Sequence, residues 1–546
     1  FDNIFRSDSS VGEQDFQVKI IKDEYVDPSF GTGALKVTPA HDPNDFALAQ
    51  KHGLQVRQVV EVDGRLNDWA GPFAGMKVKT AREAVVSALE ERGLIEKIDA
   101  GYGHRVSVCY KCGKEIEPLV LPNWFVHTKP LALRAKESAE KGFVKFYPNR
   151  FKDEFYRWMD SIKDWPISRQ IVWGIRIPAW YDVAKNPKLY VTFLNNEGET
   201  ISGYVNDLLQ GVNTHNHKQY TVSEITAGLQ QLTAPSEAIF VIADKCPDSE
   251  MYLPETDTFD TWFSSGQWPL VTLGYPNGDD FKSLYPTSVL DTMWDILFFW
   301  VARMIMLGIY INERDGRNLE DSVPFRQVLL HSRVVDAKGV KMSKSKGNVI
   351  NPLDLTGKYG TDAFRMSLIA GSALGNDVPM AEEKVRGYRN FANKIWNSAR
   401  FVIEFKREDV KGLEGYKEIY SRTVFQHKSR ILYGKSEIFM SNVKSAISHD
   451  DKSSEILDKL GGLIDLVQDS IERYRFSDAA VAIYEFYWHD FCDKYIEFVK
   501  DKREDTQATL EFVLKSSMEL LHPFMPFITE EIWQKLPHEG RSISIC

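Results

Sequence analysis

Apolar runs that end in polar residues and lead into a helix or a loop recur through the middle of this chain, and no other feature restricts its architecture more. Residues 288–290 precede a helical pattern over 295–307, and residues 327–330 precede a lysine-bearing loop at 339–348. A strand whose continuation crosses back as a helix or long loop re-enters the sheet in the same direction, so this alternation implies a parallel sheet. Ligands of such sheets bind beyond the carboxyl ends of the strands. The residues after 290 and after 330 are therefore the first candidates for a site.

The alternation occupies residues 136–385, interrupted at 182–250 by polar, Asn- and Gln-containing sequence that reads as an insertion with no assigned chemistry. Residues 1–135 mix short β-like runs (16–21 and 35–38) with helical patterns (45–52 and 80–92), separated by turn signals at Asp63-Gly64 and Gly71-Pro72. The expectation there is a compact α/β module. From 386 to 546, apolar residues recur at three- and four-residue spacing over 391–405, 456–471, 477–500 and 509–521, which predicts a helical bundle. A chain of 546 residues exceeds what one core organises, in keeping with three domains.

The formal net charge of −10 rules out a surface that is basic all over, although a local basic patch can still hold nucleic-acid phosphate. Five cysteines in so long a chain make no disulfide framework, so a reducing cytoplasm is expected. The longest apolar stretch, residues 296–309, is broken by Arg303 and is shorter than the ~20 residues that cross a bilayer. No signal peptide is read, and no membrane association is expected. Residue 1 is Phe, and the chain opens inside a strand-like segment, so a fragment of a longer protein is expected.

Gly339-Val340-Lys341-Met342-Ser343-Lys344-Ser345-Lys346-Gly347-Asn348 sets lysines and small hydroxyl residues between two glycines. Lys341 and Lys344 are compact charges on long stems, able to follow negative charge as it builds on a departing pyrophosphate. Taken alone, such a run is more often a solvated basic loop. With Val349-Ile350-Asn351-Pro352 behind it, the run resembles the signature loop of the class I aminoacyl-tRNA synthetases. The resemblance implies that the loop closes on ATP, present with Mg2+ as substrate, through Lys341, Met342, Ser343, Lys344 and Ser345. Lys341 and Lys344 would be catalytic, with Lys344 meeting the transition-state charge.

Asp260-Thr261-Trp262-Phe263-Ser264-Ser265-Gly266-Gln267-Trp268-Pro269 concentrates tryptophans and hydroxyls, and read alone is more often a packed aromatic corner than a pocket. Nearby, residues 288–304 pass directly from strand to helix, and helix spacing puts Ile296 and Trp300 on one face. Together these segments resemble the valyl branch of the same family. That likeness implies a small rigid valine pocket lined by Trp262, Ile296 and Trp300, with Asp295 on the adenosine side. Where the branch usually has Thr-Gly-Tyr-Asp or Thr-Ala-Tyr-Asp, this chain has Thr292-Met293-Trp294-Asp295.

Residues 30–46 join glycines that permit close backbone approach to two carboxylates three positions apart at a helix start. By itself Asp42 reads equally as an N-cap, Asp45 as a residue favouring the helix dipole, and His41 as structural. The whole run resembles the editing domain of the valyl, isoleucyl and leucyl enzymes. The likeness implies that Asp45 holds the α-amino group of a mischarged residue, that Asp42 and Lys36 recognise threonine, and that Phe30 and Thr38 line the pocket. Valine and threonine are near isosteres, so an apolar pocket rejects the added hydroxyl only weakly, and a second, hydrolytic site answers that need.

Cys109-Tyr110-Lys111-Cys112 has the spacing of half a zinc knuckle, and no second Cys-x-x-Cys is present to close a tetrahedron around Zn2+. Residues 165–180 bring Arg169, Arg176 and three tryptophans together, and in the family a similar run borders the active site and the tRNA end. Residues 391–397, 474–479 and 521–533 resemble the anticodon-binding bundle of the same branch.

The expected fold is therefore an α/β Rossmann-type parallel-sheet catalytic domain, represented by its C-terminal half, with an inserted α/β editing domain and a C-terminal α-helical anticodon-binding bundle. The expected partners are valine, ATP and tRNA(Val), bound by a monomer. The family's His-Ile-Gly-His-type motif is absent from the sequence. Two other readings stay open: the isoleucyl branch, or a tRNA-binding and partial editing module that does not activate an amino acid.

Overall fold

The computed structural model describes residues 19–61, 64–99, 101, 103, 105–109, 112–212, 218–343, 347–405, 437–448, 450–538 and 540–545. The chain forms two compact units, Phe1–Trp124 with Ile177–Thr256, and Phe125–Arg176 with Asp257–Cys546.

The second unit contains the parallel sheet. Phe325–His331 is its middle strand, with Thr287–Met293 on one side and Lys145–Tyr147 on the other, all parallel. Val328 and Leu330 on one face are fully buried and Leu329 on the other is 7% exposed, as a strand covered on both faces requires. The helices Thr128–Glu140, Arg150–Ser161 and Arg303–Arg314 pack on the sheet and share one apolar core with it. A second parallel pair, Arg333–Val335 with Asp377–Pro379, continues from the middle strand.

One sequence expectation changes at the strand-to-helix junction. Winding continues on both sides of residues 296–309, giving 21 residues, Trp294–Arg314, within which an 18-residue window has mean hydropathy 1.6. By length and composition this run suffices to cross a bilayer, unlike the shorter stretch read from sequence. Val301, Ala302, Met304 and Ile305 lie fully inside the protein core, which accounts for its apolarity.

Glu382–Ile403, Asp451–Glu472, Phe476–Glu485 and Arg503–Leu521 bury one continuous apolar core containing Phe391, Leu460, Tyr487 and Trp533. Several contacts tie this bundle to the rest of its unit, among them those of Asp362 and Tyr474. Asp362 accepts the Phe527 and Ile528 amides at 3.2 and 2.7 Å, capping the helix Pro526–Trp533 from a different element. Tyr474, at φ 58°, donates its hydroxyl to Gln327 on the middle strand at 2.7 Å.

In the first unit, residues 177–256 build two three-stranded antiparallel sheets. One runs Tyr252–Pro254, Ala179–Asp182, Phe240–Ile242, and the other Thr200–Tyr204, Tyr190–Leu194, Leu229–Thr233. The segment read as a chemically silent insertion thus has its own core around Leu189, Val191, Phe193 and Ile225. In residues 19–124 the helices Pro43–His52 and Val78–Glu91 form as expected. Among the described residues the β-like run at 35–38 pairs with no strand. A strand needs a neighbouring edge for its amides, and the Thr38 amide instead donates to the Asp45 carboxylate at 2.6 Å.

Candidate active site at the strand ends

Met293 and His331 stand opposite one another where two parallel strands finish, and the His331 ring lies 2.9 Å from the Asp291 carboxylate. The chain then turns into Trp294-Asp295-Ile296 on one strand and Ser332-Arg333 on the other. One oxygen of Asp295 faces the Lys341 ammonium at 3.2 Å and Arg333 at 4.0 Å. Its other oxygen, Oδ1, is buried without a hydrogen-bond partner. An unpaired buried acceptor costs about 1–3 kcal/mol, which a donor from a ligand would relieve. Arg333 forks onto Asp377 at 3.1 and 2.7 Å, which keeps the guanidinium's pKa above its usual value, and it covers the Trp294 ring at 5.1 Å.

Local bonds carry Lys341 to this place. Asp336 accepts the Lys338 and Val340 amides, folding 336–340 into a turn in which Gly339 takes a φ of 78° that a side chain would resist. Val335 and Lys341 then bridge antiparallel. Asn348 closes the loop by donating to Asp336 at 2.8 Å and accepting the Ser343 amide at 3.0 Å. That donation holds the Asp336 carboxyl below its ordinary pKa. Met342 packs against the small core of Leu355, Tyr359 and Val385 rather than pointing freely at a ligand. Lys344 and Ser345 lie outside the described residues.

The apolar part of the site stands on the five-residue helix Thr261–Ser265. The Trp262 ring stacks on Phe299, centroids 5.9 Å apart, and the Trp300 indole donates to the Ser265 carbonyl at 3.0 Å. Ile296 is half-buried at the end of a 3-10 turn, after which Leu297–Ala302 is wound as a π-helix. Regular α-spacing therefore does not govern this segment. One wider turn presents Phe299, a residue the sequence reading did not single out, to Trp262. Behind the helix, the Asp260 carboxylate takes the Trp165 indole at 2.9 Å and faces Arg169 at 3.2 Å and Arg303 at 3.6 Å. Arg169 thus serves this buried cluster.

In the first unit, Asp42 is the N-cap of Pro43–His52, accepting the Asn44 and Asp45 amides at 2.8 and 3.1 Å. Asp45 is buried and takes both the amide and the hydroxyl of Thr38 on one oxygen, at 2.6 and 3.1 Å. The structure brings Thr38, Asp42 and Asp45 together. Phe30, 79 % exposed, and Lys36 stay on the surface and enclose nothing. His41 is a structural strut: one ring nitrogen accepts the Val59 amide at 3.0 Å and the other lies 3.2 Å from the Pro118 carbonyl.

Cys109 and Cys112 sit in a tight turn between bridged Val108 and Glu115. Among the described residues no group of three or more His, Cys, Asp or Glu stands together to hold a metal.

Asp336, Asn348, Asp260, Arg303 and Phe299 were not identified as site residues from sequence. The Asp336-Ala337-Lys338-Gly339 turn signature was available for the first. The others become neighbours only through the fold.

Residues 48–381 match the family model described as tRNA synthetases class I (I, L, M and V), and residues 453–546 match that of the anticodon-binding domain of tRNA ligase. The valine–tRNA ligases of Pseudothermotoga lettingae and Thermotoga maritima are each 39% identical to this chain over 537 residues, 97% of this chain and 52% of those proteins. That of Geobacter sulfurreducens is 40% identical over 531 residues, 95% of this chain and 50% of its own length. The chain spans about half the length of the curated relatives it matches. Both the parallel sheet and the loop bearing Lys341 fall within the first match, which takes in more than half of the residues, and the chain belongs to the class I tRNA synthetases.

Proposed function

We propose that this chain carries the lysine-loop half of the catalytic domain and the anticodon-binding domain of a valine–tRNA ligase, which activates valine with ATP and esterifies tRNA(Val). The observation that supports this best is the meeting of Asp295 and Lys341 at the ends of two adjacent parallel strands, beside the tryptophans of the apolar site. The valine carboxylate attacks the α-phosphorus of Mg2+-bound ATP, and the bond to pyrophosphate breaks. A tRNA terminal hydroxyl then displaces AMP from the valyl carbonyl. The unpaired Oδ1 of Asp295 is an acceptor suited to a ribose hydroxyl. Once a nucleotide occupies Asp295, Lys341 is released to follow charge on the leaving pyrophosphate, with Lys344 assigned the larger share by its place in the motif. Trp262, Ile296 and Trp300 wall a pocket for valine, in which isoleucine's extra methylene costs about 1–3 kcal/mol.

In the same reading, the Thr38–Asp42–Asp45 cluster belongs to a hydrolytic site for threonyl-tRNA(Val). Asp45 is its anchor for the ammonium, since one carboxylate oxygen is committed to Thr38 and the other has no hydrogen bond among the described residues. A monomer in the cytoplasm is the setting proposed, in line with the sparse cysteines.

Valine-dependent ATP–pyrophosphate exchange tests the assignment, with isoleucine and threonine in parallel. The chain lacks a His-Ile-Gly-His-type motif, so it is expected to be silent alone and to show exchange when joined to the amino-terminal half of the Thermotoga maritima enzyme. Exchange should be strong with valine, weaker with threonine and negligible with isoleucine. Exchange that follows isoleucine would move the chain to the isoleucyl branch. Silence of the joined protein with all three would favour a tRNA-binding and editing module.

A further inference from the structure

We propose that Asp260 and Arg303 are positioning residues for the amino-acid pocket, fixing Trp262 by holding the amino-terminal end of the short helix that carries it. This rests on the pocket reading of Trp262 given above. Five residues form too short a helix to persist by its own hydrogen bonds, so Thr261–Ser265 depends on what grips its ends. At the carboxyl end the grip is the Trp300 indole on Ser265, and just beyond it the helix lies so close to Arg303–Arg314 that a Cβ on Gly266 would come within 2.9 Å of Leu307.

At the amino end the grip is Asp260. Its Oδ1 accepts the Trp262 amide at 3.3 Å, while its own amide donates to the Ile167 carbonyl at 2.7 Å. Its other oxygen takes the Trp165 indole. The carboxylate side chain is 8% exposed, and a charge so buried needs a partner of opposite charge to offset its lost hydration. Arg169 faces it from a side chain 40% exposed, whereas Arg303 is 10% exposed. The Arg303 guanidinium lies over the Trp165 ring at 3.7 Å and near Phe298 and Phe299 at 5.7 and 5.8 Å. It therefore touches both the residue that caps the Trp262 helix and the aromatic ring on which Trp262 stacks. Burial pushes the Arg303 pKa down to about 10, opposed by the Asp260 charge, which helps keep the guanidinium ionised.

Arg303 acts through geometry that a lysine cannot copy, since an ammonium offers neither a planar face to Trp165 nor a fork. The test compares the parent chain with Arg303→Lys, Arg303→Met and Asp260→Asn. Amide hydrogen exchange over 261–266 is followed with the helix Arg503–Leu521 as the control for folding, and valine and ATP affinities are measured by calorimetry. The expected result is exchange over 261–266 faster by about tenfold in Arg303→Met and Asp260→Asn and less in Arg303→Lys. Valine affinity should fall by about tenfold while ATP affinity stays within about twofold. Unchanged exchange in all three variants would overturn the proposal, as would faster exchange with unchanged valine affinity. A parent chain that binds no valine would sink the pocket assignment itself, and the exchange comparison would still decide whether these two residues hold the helix.

Discussion

Replacing Trp300 by Phe keeps an aromatic ring and removes only the indole N–H that the Ser265 carbonyl accepts. One such bond contributes about 1 kcal/mol, so Trp300→Phe should weaken valine binding by about fivefold, read by calorimetric titration. Asp295→Asn keeps the shape of the strand-end residue and removes the charge that Lys341 and Arg333 face. It should weaken ATP by about tenfold and leave valine affinity unchanged, which competition with a fluorescent nucleotide would show. Lys341 and Asp295 are readable from sequence because a family motif is local: its residues are fixed relative to one another along the chain. Phe299 is not, since its contact with Trp262 depends on a π-turn that no spacing rule anticipates. Asp42 shows the converse, a residue legible as an N-cap from chemistry alone and found in that role.

Some elements in this protein are held by side chains from other elements. The helix Pro526–Trp533 has no side-chain cap of its own and takes Asp362 instead. Asp362→Ala should therefore lower the unfolding free energy of the bundle by about 1 kcal/mol in denaturant titration. Beside it, burial holds the His522 imidazole below its usual pKa, with its ring nitrogens against Thr529 and Ser544. The folded state thus resists protonating His522. Its contribution is fully present above the unfolded value of about 6.5 and is lost as pH falls through the lowered folded value. His522→Gln should flatten the loss of stability between about pH 7 and 5, measured as denaturation midpoints. The helices Glu382–Ile403, Asp451–Glu472, Phe476–Glu485 and Arg503–Leu521 were legible because apolar spacing records a buried face directly, whereas Glu437–Ile447 was not read from the sequence. The β-like run at 35–38 misled because a strand is defined by its partner, and Thr38 turns its amide toward Asp45.

Across the whole molecule the chain leaves one compact unit at Trp124, returns at Ile177 and leaves again after Thr256, so each unit is assembled from segments distant in sequence. A ligand stabilises only the unit that binds it, and ATP at about 100 times its dissociation constant should stabilise that unit by about 2.7 kcal/mol. Calorimetry should accordingly show the transition of the unit containing Lys341 rising with ATP while the other stays in place. Family membership, the parallel sheet and the helical bundle could be read from the chain because strand–loop–helix alternation, helical spacing and a lysine motif are one-dimensional patterns. The union of 177–256 with the amino-terminal segment could not, because no local pattern records which distant segment will share a core. The amino acids alone determined which side chains could meet a nucleotide. Only tertiary structure decided that Asp295 keeps one oxygen unpaired while Lys341 holds the other, and that Trp262 rests on a buried Asp260–Arg303 pair, because burial and opposed charge arise between residues brought together by packing.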